Sequence, residues 1–327
     1  MQPRSDTCRA GGSQARLTWP PGRPRAVFLV RKRDDDRACR ALVEIGTWLQ
    51  DDRKLLVVVE EADVHRDDKF VGAADRLADV DLVVCLGGDG TLLHVSSLFQ
   101  GQCCPPVVAF AMGTLGFLTP MNIADARCQL TRVLGANAAE VFTTLRMRLW
   151  CDVYRKGSSE PELRYQVLNE CLIDRGGNAV LTCLDLFVDG ELVTVVQADG
   201  IIVSTPTGST AYSMSAGGSI VAPTVHGILI TPVCPHTLSF RPAVIPDSSV
   251  VRIRVSDHTR ARTACASFDG THRTPLNPGD EICLSMSAMP IPTVNDRQFN
   301  TDWFASIVEK LHWNVRVPCA GGPSAAL

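Results

Sequence analysis

A carboxylate set among glycines is the part of this sequence that most directly suggests chemistry. The motif GGDG at 87–90 follows the apolar run 82–86 and precedes a segment that we expect to be helical from about Thr91. Glycines let the main chain bend sharply and approach a ligand, and the start of a helix offers unpaired N–H groups to phosphate. Because a carboxylate repels phosphate, Asp89 indicates a cation or a proton in the site. The simpler alternative is that Asp89 only caps the helix.

Two further stretches carry polar side chains where connecting loops would not need them. Asn169 and Glu170 are adjacent in an apolar segment, so one could meet a ligand and the other a neighbour or a metal. A surface pair is the simpler explanation. The block 199–218 changes from a strand into a loop dense in hydroxyl groups, which can bind sugars, amides and phosphates. Tyr212, which we expect to be buried, offers a flat face to a base; a solvated loop is the alternative.

The first half of the chain has the pattern of an α/β domain. Apolar runs at 26–30, 55–59 and 107–111 predict strands, as does the run before the glycine motif, and a helix is predicted over 37–50. Strands that are apolar on both faces and alternate with helices indicate a parallel sheet covered on both sides. Ligands bind such Rossmann-like sheets at the carboxyl ends of the strands. We therefore predict a nucleotide-binding domain over 25–143.

The second half has the pattern of antiparallel β-structure. Apolar and polar residues alternate from 145 to 154, which predicts one half-exposed strand with Arg146 and Arg148 on its polar face. Asp189-Gly190 between two apolar segments predicts a hairpin. We assign 144–296 to a β-rich, sandwich-like domain. A helix predicted at 302–312 has one apolar face, so we expect 297–327 to pack on the first domain.

Composition limits the classes of protein that fit. The 327 residues are 45% hydrophobic with a net charge of −3, so nucleic acid is not an expected partner, and no apolar run has the ~18 residues of a membrane helix. The 13 cysteines have no disulfide or zinc spacing, which indicates reduced thiols and a cytoplasmic protein. Residues 1–24 predict a disordered leader, whose arginines leave mitochondrial targeting as the less favoured alternative.

Taken together, the motifs resemble those of the NAD kinases, which phosphorylate NAD at the 2′-hydroxyl of its adenosine ribose. The matching stretches are GGDGTLLH at 87–94, GTLGFLTP at 113–120, LNECLIDRG at 168–176, DGIIVSTPTGSTAY at 199–212, TPVCPHTLSFRP at 231–242 and SFDG at 267–270. The GGDG motif alone is shared with diacylglycerol, sphingosine and 6-phosphofructokinases, whereas the 199–212 block is specific. Residues 303–314 look like the C-terminal helix of the animal cytosolic type.

The resemblance implies roles for the matching residues. Asp89 would be the general base that takes the proton from the ribose 2′-hydroxyl. The ATP phosphate site would be shaped by Gly87, Gly88, Gly90 and Thr91. Leu115 and Phe117 would pack on adenine and Asp199 would meet the nicotinamide amide. The NAD cleft as a whole would comprise Leu115, Phe117, Asn169, Glu170, Asp199, Thr207, Ala211, Tyr212 and Ser215. A divalent cation such as Mg²⁺ would bind mainly through the ATP phosphates, with Glu170 as a further contact.

The resemblance also implies a homodimer or homotetramer whose interface completes the site, with NAD and ATP as ligands and no membrane partner. Some positions depart from the family pattern, among them Ala111, Met112, Ala198 and Ala222. These departures affect the expected wall of the pocket rather than the expected reaction. Two other functions stay open: a lipid or sugar kinase that shares the GGDG turn, and a dinucleotide-binding sensor without catalysis.

Overall fold

The structure is a computed structural model that describes residues 14–22, 24–74, 76–135, 141–257, 263–296 and 301–314. Its α-helices are α1 (Asp36–Asp51), α2 (Asp89–Leu98), α3 (Ala126–Leu134), α4 (Tyr212–Ser215) and α5 (Thr301–Leu311). The strands that begin before residue 150 are β1 (Gln14–Arg16), β2 (Ala26–Arg31), β3 (Leu56–Val59), β4 (Val71–Gly72), β5 (Leu82–Gly87), β6 (Val107–Ala111), β7 (Met121–Asn122), β8 (Phe142–Arg146) and β9 (Leu149–Tyr154).

The remaining strands follow residue 160, and all of them except β21 belong to the second domain. They are β10 (Leu163–Val167), β11 (Glu170–Asp174), β12 (Thr182–Val188), β13 (Glu191–Ala198), β14 (Gly200–Ser204), β15 (Ile228–Val233), β16 (Ala243–Ile245), β17 (Val251–Val255), β18 (Ala264–Phe268), β19 (Thr271–Leu276), β20 (Glu281–Met286) and β21 (Ile291–Val294).

The first sheet contains the parallel layer that the apolar runs predict, and β8 adds antiparallel pairs with β1 and β21 at one edge. Within the described residues its order is β1-β8-β21-β6-β5-β2-β3-β4, and β2 runs parallel to β3 and β5, as β5 does to β6. Alternate residues of one strand enter different apolar clusters: Val84 packs in one cluster and Val83 in another. Both faces are therefore covered, and the carboxyl end of β5 leads directly into α2.

The second domain is a β-sandwich. Two antiparallel six-stranded sheets have the orders β10-β9-β20-β17-β12-β13 and β16-β15-β14-β11-β18-β19 in the described part of the chain. Their inner faces form one cluster, to which Leu149 and Ile253 contribute from one sheet and Ile173 and Val203 from the other. Asp189 and Gly190 join β12 to β13 with φ angles of 51° and 89°, as the hairpin requires. The predicted fold class is confirmed.

The single strand predicted over 145–154 is wrong. The chain forms β8 in the first sheet and β9 in the sandwich, and Arg146 and Arg148 are buried at the crossover rather than exposed. The predicted boundary at 143/144 therefore lies inside β8. β21, which we assigned to the second domain, pairs with β8 and β6 in the first sheet. The sandwich is thus inserted between two neighbouring strands of the first sheet.

Part of the predicted leader is ordered. Gln14–Arg16 pairs antiparallel with β8, Leu17 is 1% exposed, and the indole Nε1 of Trp19 donates to the Val133 carbonyl oxygen over 2.8 Å. Two large apolar side chains are enough to anchor this segment, although its average composition is that of a loop. Residues 1–13 lie outside the described part of the chain. No helix among the described residues is long and apolar enough to cross a membrane.

Helix α5 lies beside the first domain. Trp303 and Ser306 line a small cavity together with Phe117 and Leu118. Ile307 is buried, whereas half of the Phe304 side chain is exposed, so only part of the predicted apolar face is covered. Residues 297–300 and 315–327 of the predicted terminal segment are outside the described residues.

Candidate functional site

The glycine turn joins β5 to α2 and leaves its main chain open on one side. Helix α2 begins at Asp89, and Gly88 rather than Asp89 is the N-cap residue, so the alternative that Asp89 only caps the helix is wrong. A Cβ on Gly87 would collide with the Thr91 hydroxyl, which explains that glycine. Gly88 and Gly90 have no neighbour within 4 Å of a Cβ position. The turn therefore has room for a ligand against its backbone.

The Asp89 carboxylate is held by the loop that follows β6. Its two oxygens accept hydrogen bonds from the backbone N–H groups of Phe117 and Leu118, each over 3.0 Å, and from the Thr119 hydroxyl over 3.3 Å. A Cβ on Gly116 would collide with the carboxylate, so the loop can approach only with glycine there. These contacts join the two glycine motifs of the first domain and fix the orientation of one carboxylate between them.

Arg146 connects this loop to the sandwich domain. Its guanidinium donates to the Thr293 hydroxyl over 3.1 Å, and to the Thr207 hydroxyl and the Phe117 carbonyl oxygen over 3.4 Å each. Burial lowers the pKa of Arg146 to about 10, and the Asp89 carboxylate opposes that shift. Sequence reasoning missed this residue because strict alternation would place it on an exposed face. A buried cation therefore lies near Asp89.

Asn169 and Glu170 are buried at the start of β11, so the surface-pair alternative is wrong. Asp269 accepts hydrogen bonds from the backbone N–H groups of Leu168, Asn169 and Glu170 over 2.7 to 3.0 Å. Asn169 Oδ1 and Glu170 Oε2 are buried without a hydrogen-bond partner in the protein. Such atoms usually have a partner, so the pair is prepared for a ligand or a cation.

Burial changes the protonation of this acidic pair. It raises the pKa of Glu170 to about 8, and the negative charge of Asp269 adds to the shift. Burial also raises the pKa of Asp269 to about 6, although its three backbone donors oppose the change. Glu170 is therefore largely protonated at neutral pH in the absence of a cation.

The hydroxyl-rich block packs directly on Asn169. The Thr205 backbone N–H donates to the Asn169 carbonyl oxygen over 2.9 Å, and a Cβ on Gly208 would collide with that carbonyl group. Several hydroxyls are used within the protein, since Ser209 donates to the Val221 carbonyl oxygen and Ser213 pairs with the Thr231 hydroxyl. The block is therefore not a solvated loop.

Asp199 and Tyr212 line a separate cavity of about 250 Å³. The Asp199 carboxylate forms a 2.8 Å ion pair with Arg175, a residue to which sequence reasoning gave no role although it lies in the 168–176 motif. Tyr212 is 43% exposed, so the prediction that it is buried is wrong. Tyr212 lines this cavity and is partly open to solvent, so a planar ligand could reach it.

The other predicted site residues differ in how far they are buried. Leu115, Phe117 and Ala211 are half-buried, and Ser215 is exposed at the end of α4. Thr207 is buried, and its hydroxyl accepts a hydrogen bond from Arg146. No group of three or more His, Cys, Asp or Glu side chains in the described segments is arranged to hold a metal ion. Glu170 and Asp269 are the neighbouring carboxylates of this region.

The comparisons with known proteins agree with these motifs. Residues 27–138 match the family model for the ATP-NAD kinase N-terminal domain, and residues 168–295 match that for the ATP-NAD kinase C-terminal domain. The relative named probable NAD kinase 2, chloroplastic, from Oryza sativa subsp. japonica is 43% identical over 93% of this chain, and the match covers 32% of the relative. The NAD(+) kinase of Saccharomyces cerevisiae is 46% identical over 72% of this chain and 46% of that protein. The chain thus spans less than half the length of these two relatives.

A solved structure agrees over nearly the whole chain. The crystal structure of yeast NADH kinase complexed with NADH has a TM-score of 0.85 and 32% sequence identity, and the match covers 94% of this chain and 92% of that one. Matches to both domains favour the NAD kinases over the lipid and sugar kinases that share only the GGDG turn. The chain belongs to the ATP-NAD kinase family.

Proposed function

We propose that the protein transfers the γ-phosphoryl group of ATP to the 2′-hydroxyl of the adenosine ribose of NAD⁺, giving NADP⁺ and ADP. The observation that carries this proposal is the Asp89 carboxylate, fixed between the glycine turn and the 116–119 loop. A carboxylate at a phosphate-binding turn repels the phosphate unless it accepts a proton or binds a cation. Accepting the proton of an alcohol is such a role.

In the proposed mechanism Asp89 accepts the proton of the ribose 2′-hydroxyl as the oxygen attacks the γ-phosphorus. An alcohol is a poor nucleophile at neutral pH, and a positioned general base contributes about 10²–10⁴-fold in rate. The main-chain N–H group of Gly90, the Thr91 hydroxyl and the bend at Gly87 and Gly88 would hold the ATP phosphates, because the N–H groups of Gly88 and Thr91 already donate within the turn. Alignment and charge neutralisation would supply most of the remaining acceleration.

The NAD cleft in this proposal runs from the 115–117 loop to the sandwich. Leu115 and Phe117 would pack on adenine, and the orphaned oxygen of Asn169 would accept a ribose hydroxyl. Asp199 would accept the nicotinamide amide N–H while it is held by Arg175. The remaining wall would be formed by Thr207, Ala211, Tyr212 and Ser215.

We propose Mg²⁺ as the cation, carried mainly by the ATP phosphates. When bound, it neutralises charge on the transferring phosphoryl group. The unpartnered Glu170 Oε2 beside Asp269 is a hard oxygen donor of the kind that Mg²⁺ prefers. A bound cation would favour the ionised form of Glu170 and so lower the pKa of this carboxyl group from about 8.

We further propose a cytoplasmic homodimer or homotetramer. The edge strand β13 exposes Leu192, Val193 and Val195, which are 54%, 59% and 47% accessible. An unpaired apolar edge is typical of a surface that another chain covers. Cys85, Cys151 and Cys171 pack as thiols in the cores, which suits a reducing compartment.

A coupled assay tests the activity directly. The protein is incubated with NAD⁺, ATP and Mg²⁺, and NADP⁺ is detected with an NADP-specific dehydrogenase. Parallel reactions replace NAD⁺ by NADH, diacylglycerol or fructose 6-phosphate, and ATP by inorganic polyphosphate. NADP⁺ formation that requires Mg²⁺ supports the proposal. NAD binding without product would favour a dinucleotide-binding sensor. Phosphorylation of diacylglycerol or fructose 6-phosphate would favour a lipid or sugar kinase.

A further inference from the structure

A large cavity beside the glycine turn has been given no ligand so far. It measures about 800 Å³ and lies between α2, β10 and the turn from β18 to β19. Ligand sites typically have volumes of about 300–1,000 Å³. The lining residues that matter here are Gly90, Leu93, His94, Tyr165 and His272. Since Gly90 belongs to the glycine turn, a ligand in this cavity can reach the phosphate site.

One wall of the cavity carries stacked flat side chains. The Tyr165 ring lies 4.5 Å from the Phe268 ring and 5.0 Å from the His272 imidazole, with interplanar angles of 27° and 21°. His272 is exposed and ends the stack on the side away from Phe268. Stacking on such a side chain strengthens the binding of a nucleobase about five- to 150-fold. The stack is therefore a suitable platform for a base.

The backbone that presents this stack is unusual. Asp269 and His272 have φ angles of 48° and 51°, and Gly270 between them has 73°. The left-handed conformation is uncommon for residues with a side chain, and it persists where the surrounding structure enforces it. Asp269 provides that constraint, because its carboxylate accepts three hydrogen bonds from the chain around Asn169.

A neighbouring cavity of about 460 Å³ has the opposite chemistry. It is lined by Lys32 and Arg33, whose side chains are 56% and 73% exposed, and it shares Gly90 and His94 with the cavity of the stack. His94 is held at this junction by a 2.8 Å contact with Glu60. Cations and the start of α2 thus lie on one side of the junction, and flat rings on the other.

We propose that the donor nucleobase stacks on His272 in the larger cavity, while the triphosphate lies over Gly88 and Gly90 against Lys32 and Arg33. The inference rests on the proposed function, in which ATP is the donor. The acceptor NAD contacts the 115–117 loop and Asn169 in that proposal, and none of these residues lines the cavity of the stack, so the two nucleotides do not compete for it. The cavity gives this chain a means of distinguishing a nucleoside triphosphate from inorganic phosphate chains.

The test compares a donor with its phosphate chain alone. His272→Asn removes the ring but keeps a residue that tolerates a left-handed backbone, and His272→Phe restores a flat face. The KM for ATP and the inhibition constant of inorganic tripolyphosphate against ATP are measured at saturating NAD⁺. In His272→Asn we expect the KM for ATP to rise at least about fivefold, with the tripolyphosphate constant and the KM for NAD⁺ unchanged. His272→Phe should return the KM for ATP towards that of the unchanged protein.

An unchanged KM for ATP in His272→Asn would overturn the inference. Equal losses for ATP and tripolyphosphate would also overturn it, because the stack would then bind phosphate. If the unchanged protein formed no NADP⁺ from ATP, the proposed function would fail separately. Calorimetry with a non-hydrolysable ATP analogue and with tripolyphosphate would still compare the same variants for base binding.

Discussion

Asp89 is the residue on which the proposed chemistry depends. Its side chain must face an acceptor hydroxyl while its oxygens already accept bonds from Phe117 and Leu118. Carboxylate oxygens have about four lone-pair directions, so these bonds leave capacity for a proton. The same contacts that limit its motion therefore leave it able to act as a base.

We predict that Asp89→Asn lowers turnover at least about 100-fold while the KM for NAD⁺ changes only a few-fold. The amide keeps the size of the side chain but cannot take the proton. Steady-state kinetics and NAD binding by calorimetry check this result. Thr119→Val is the control, since it removes one 3.3 Å donor and leaves the carboxylate, and it should retain far more turnover. Full activity in Asp89→Asn would exclude the general-base role.

The buried Glu170 predicts how stability depends on pH in the absence of nucleotide and Mg²⁺. Its pKa rises from 4.5 to about 8 on folding, so the folded state holds a proton that the unfolded state releases. The free energy of unfolding should therefore fall as the pH rises from about 4.5 to about 8. Glu170→Gln cannot titrate and should make this part of the profile flatter. Urea unfolding across this range checks it, and identical profiles would contradict the prediction.

Individual site residues could be predicted from the sequence where the type of residue alone indicates a function. Asp89, Asn169 and Glu170 are polar groups in apolar or glycine-rich surroundings, and the structure places each at an internal contact. Arg146 could not be predicted, because its role depends on a strand that changes sheets. The exposure of Tyr212 could not be predicted either, since it depends on how a four-residue helix meets the cavity of Asp199.

Helix α2 is the element that joins the glycine turn to the rest of the molecule, and Arg148 holds its far end. The guanidinium is fully buried and donates to the carbonyl oxygens of Ser96, Phe99, Gln102 and Met289 over 2.7 to 3.3 Å. Burial lowers the pKa of Arg148 to about 10. A cation at the C-terminus of a helix also interacts favourably with its dipole.

We predict that Arg148→Met destabilises the protein by at least about 2 kcal/mol, because buried carbonyl groups lose their donors. Arg252→Met is the matched control: Arg252 is more exposed, pairs with Glu281 and should lose less than about 1 kcal/mol. Urea unfolding measures both variants. Equal losses would show that the contacts to α2 do not stabilise the fold.

The elements themselves were predictable where their patterns are local. The parallel strands follow from continuous apolar runs, and the β12–β13 hairpin follows from Asp189-Gly190. The break between β8 and β9 was not predictable, because apolar and polar residues continue to alternate across 146–149 and no turn residue interrupts them. The return of β21 to the first sheet depends on pairing with β8, which is distant in sequence and leaves no local pattern.

At the scale of the whole molecule, the exposed edge of β13 predicts association. Val193→Lys places a charge on that edge and should convert an oligomer into a smaller species, because edge lysines oppose strand pairing. Glu191→Gln changes the same strand without adding a lysine or removing an apolar side chain, and it should leave the mass unchanged. Analytical ultracentrifugation distinguishes the two. The proposed association would be contradicted if the protein without substitutions were a monomer, or if Val193→Lys had the same mass as that protein.

The pairing of β8 with β21 has a consequence for how the molecule is divided. Arg146 and Ile291 stand opposite each other in the ladder, one where the chain leaves the first sheet and the other where it returns. Topologically the entire sandwich is then an enlarged hairpin loop. Excising it and rejoining the two strands through a tight turn would preserve the ladder between β8 and β21. The first domain would then lose Leu168 from one of its apolar clusters and the Arg148 donors at the end of α2. The sandwich is therefore also a structural support for the layer into which it is inserted.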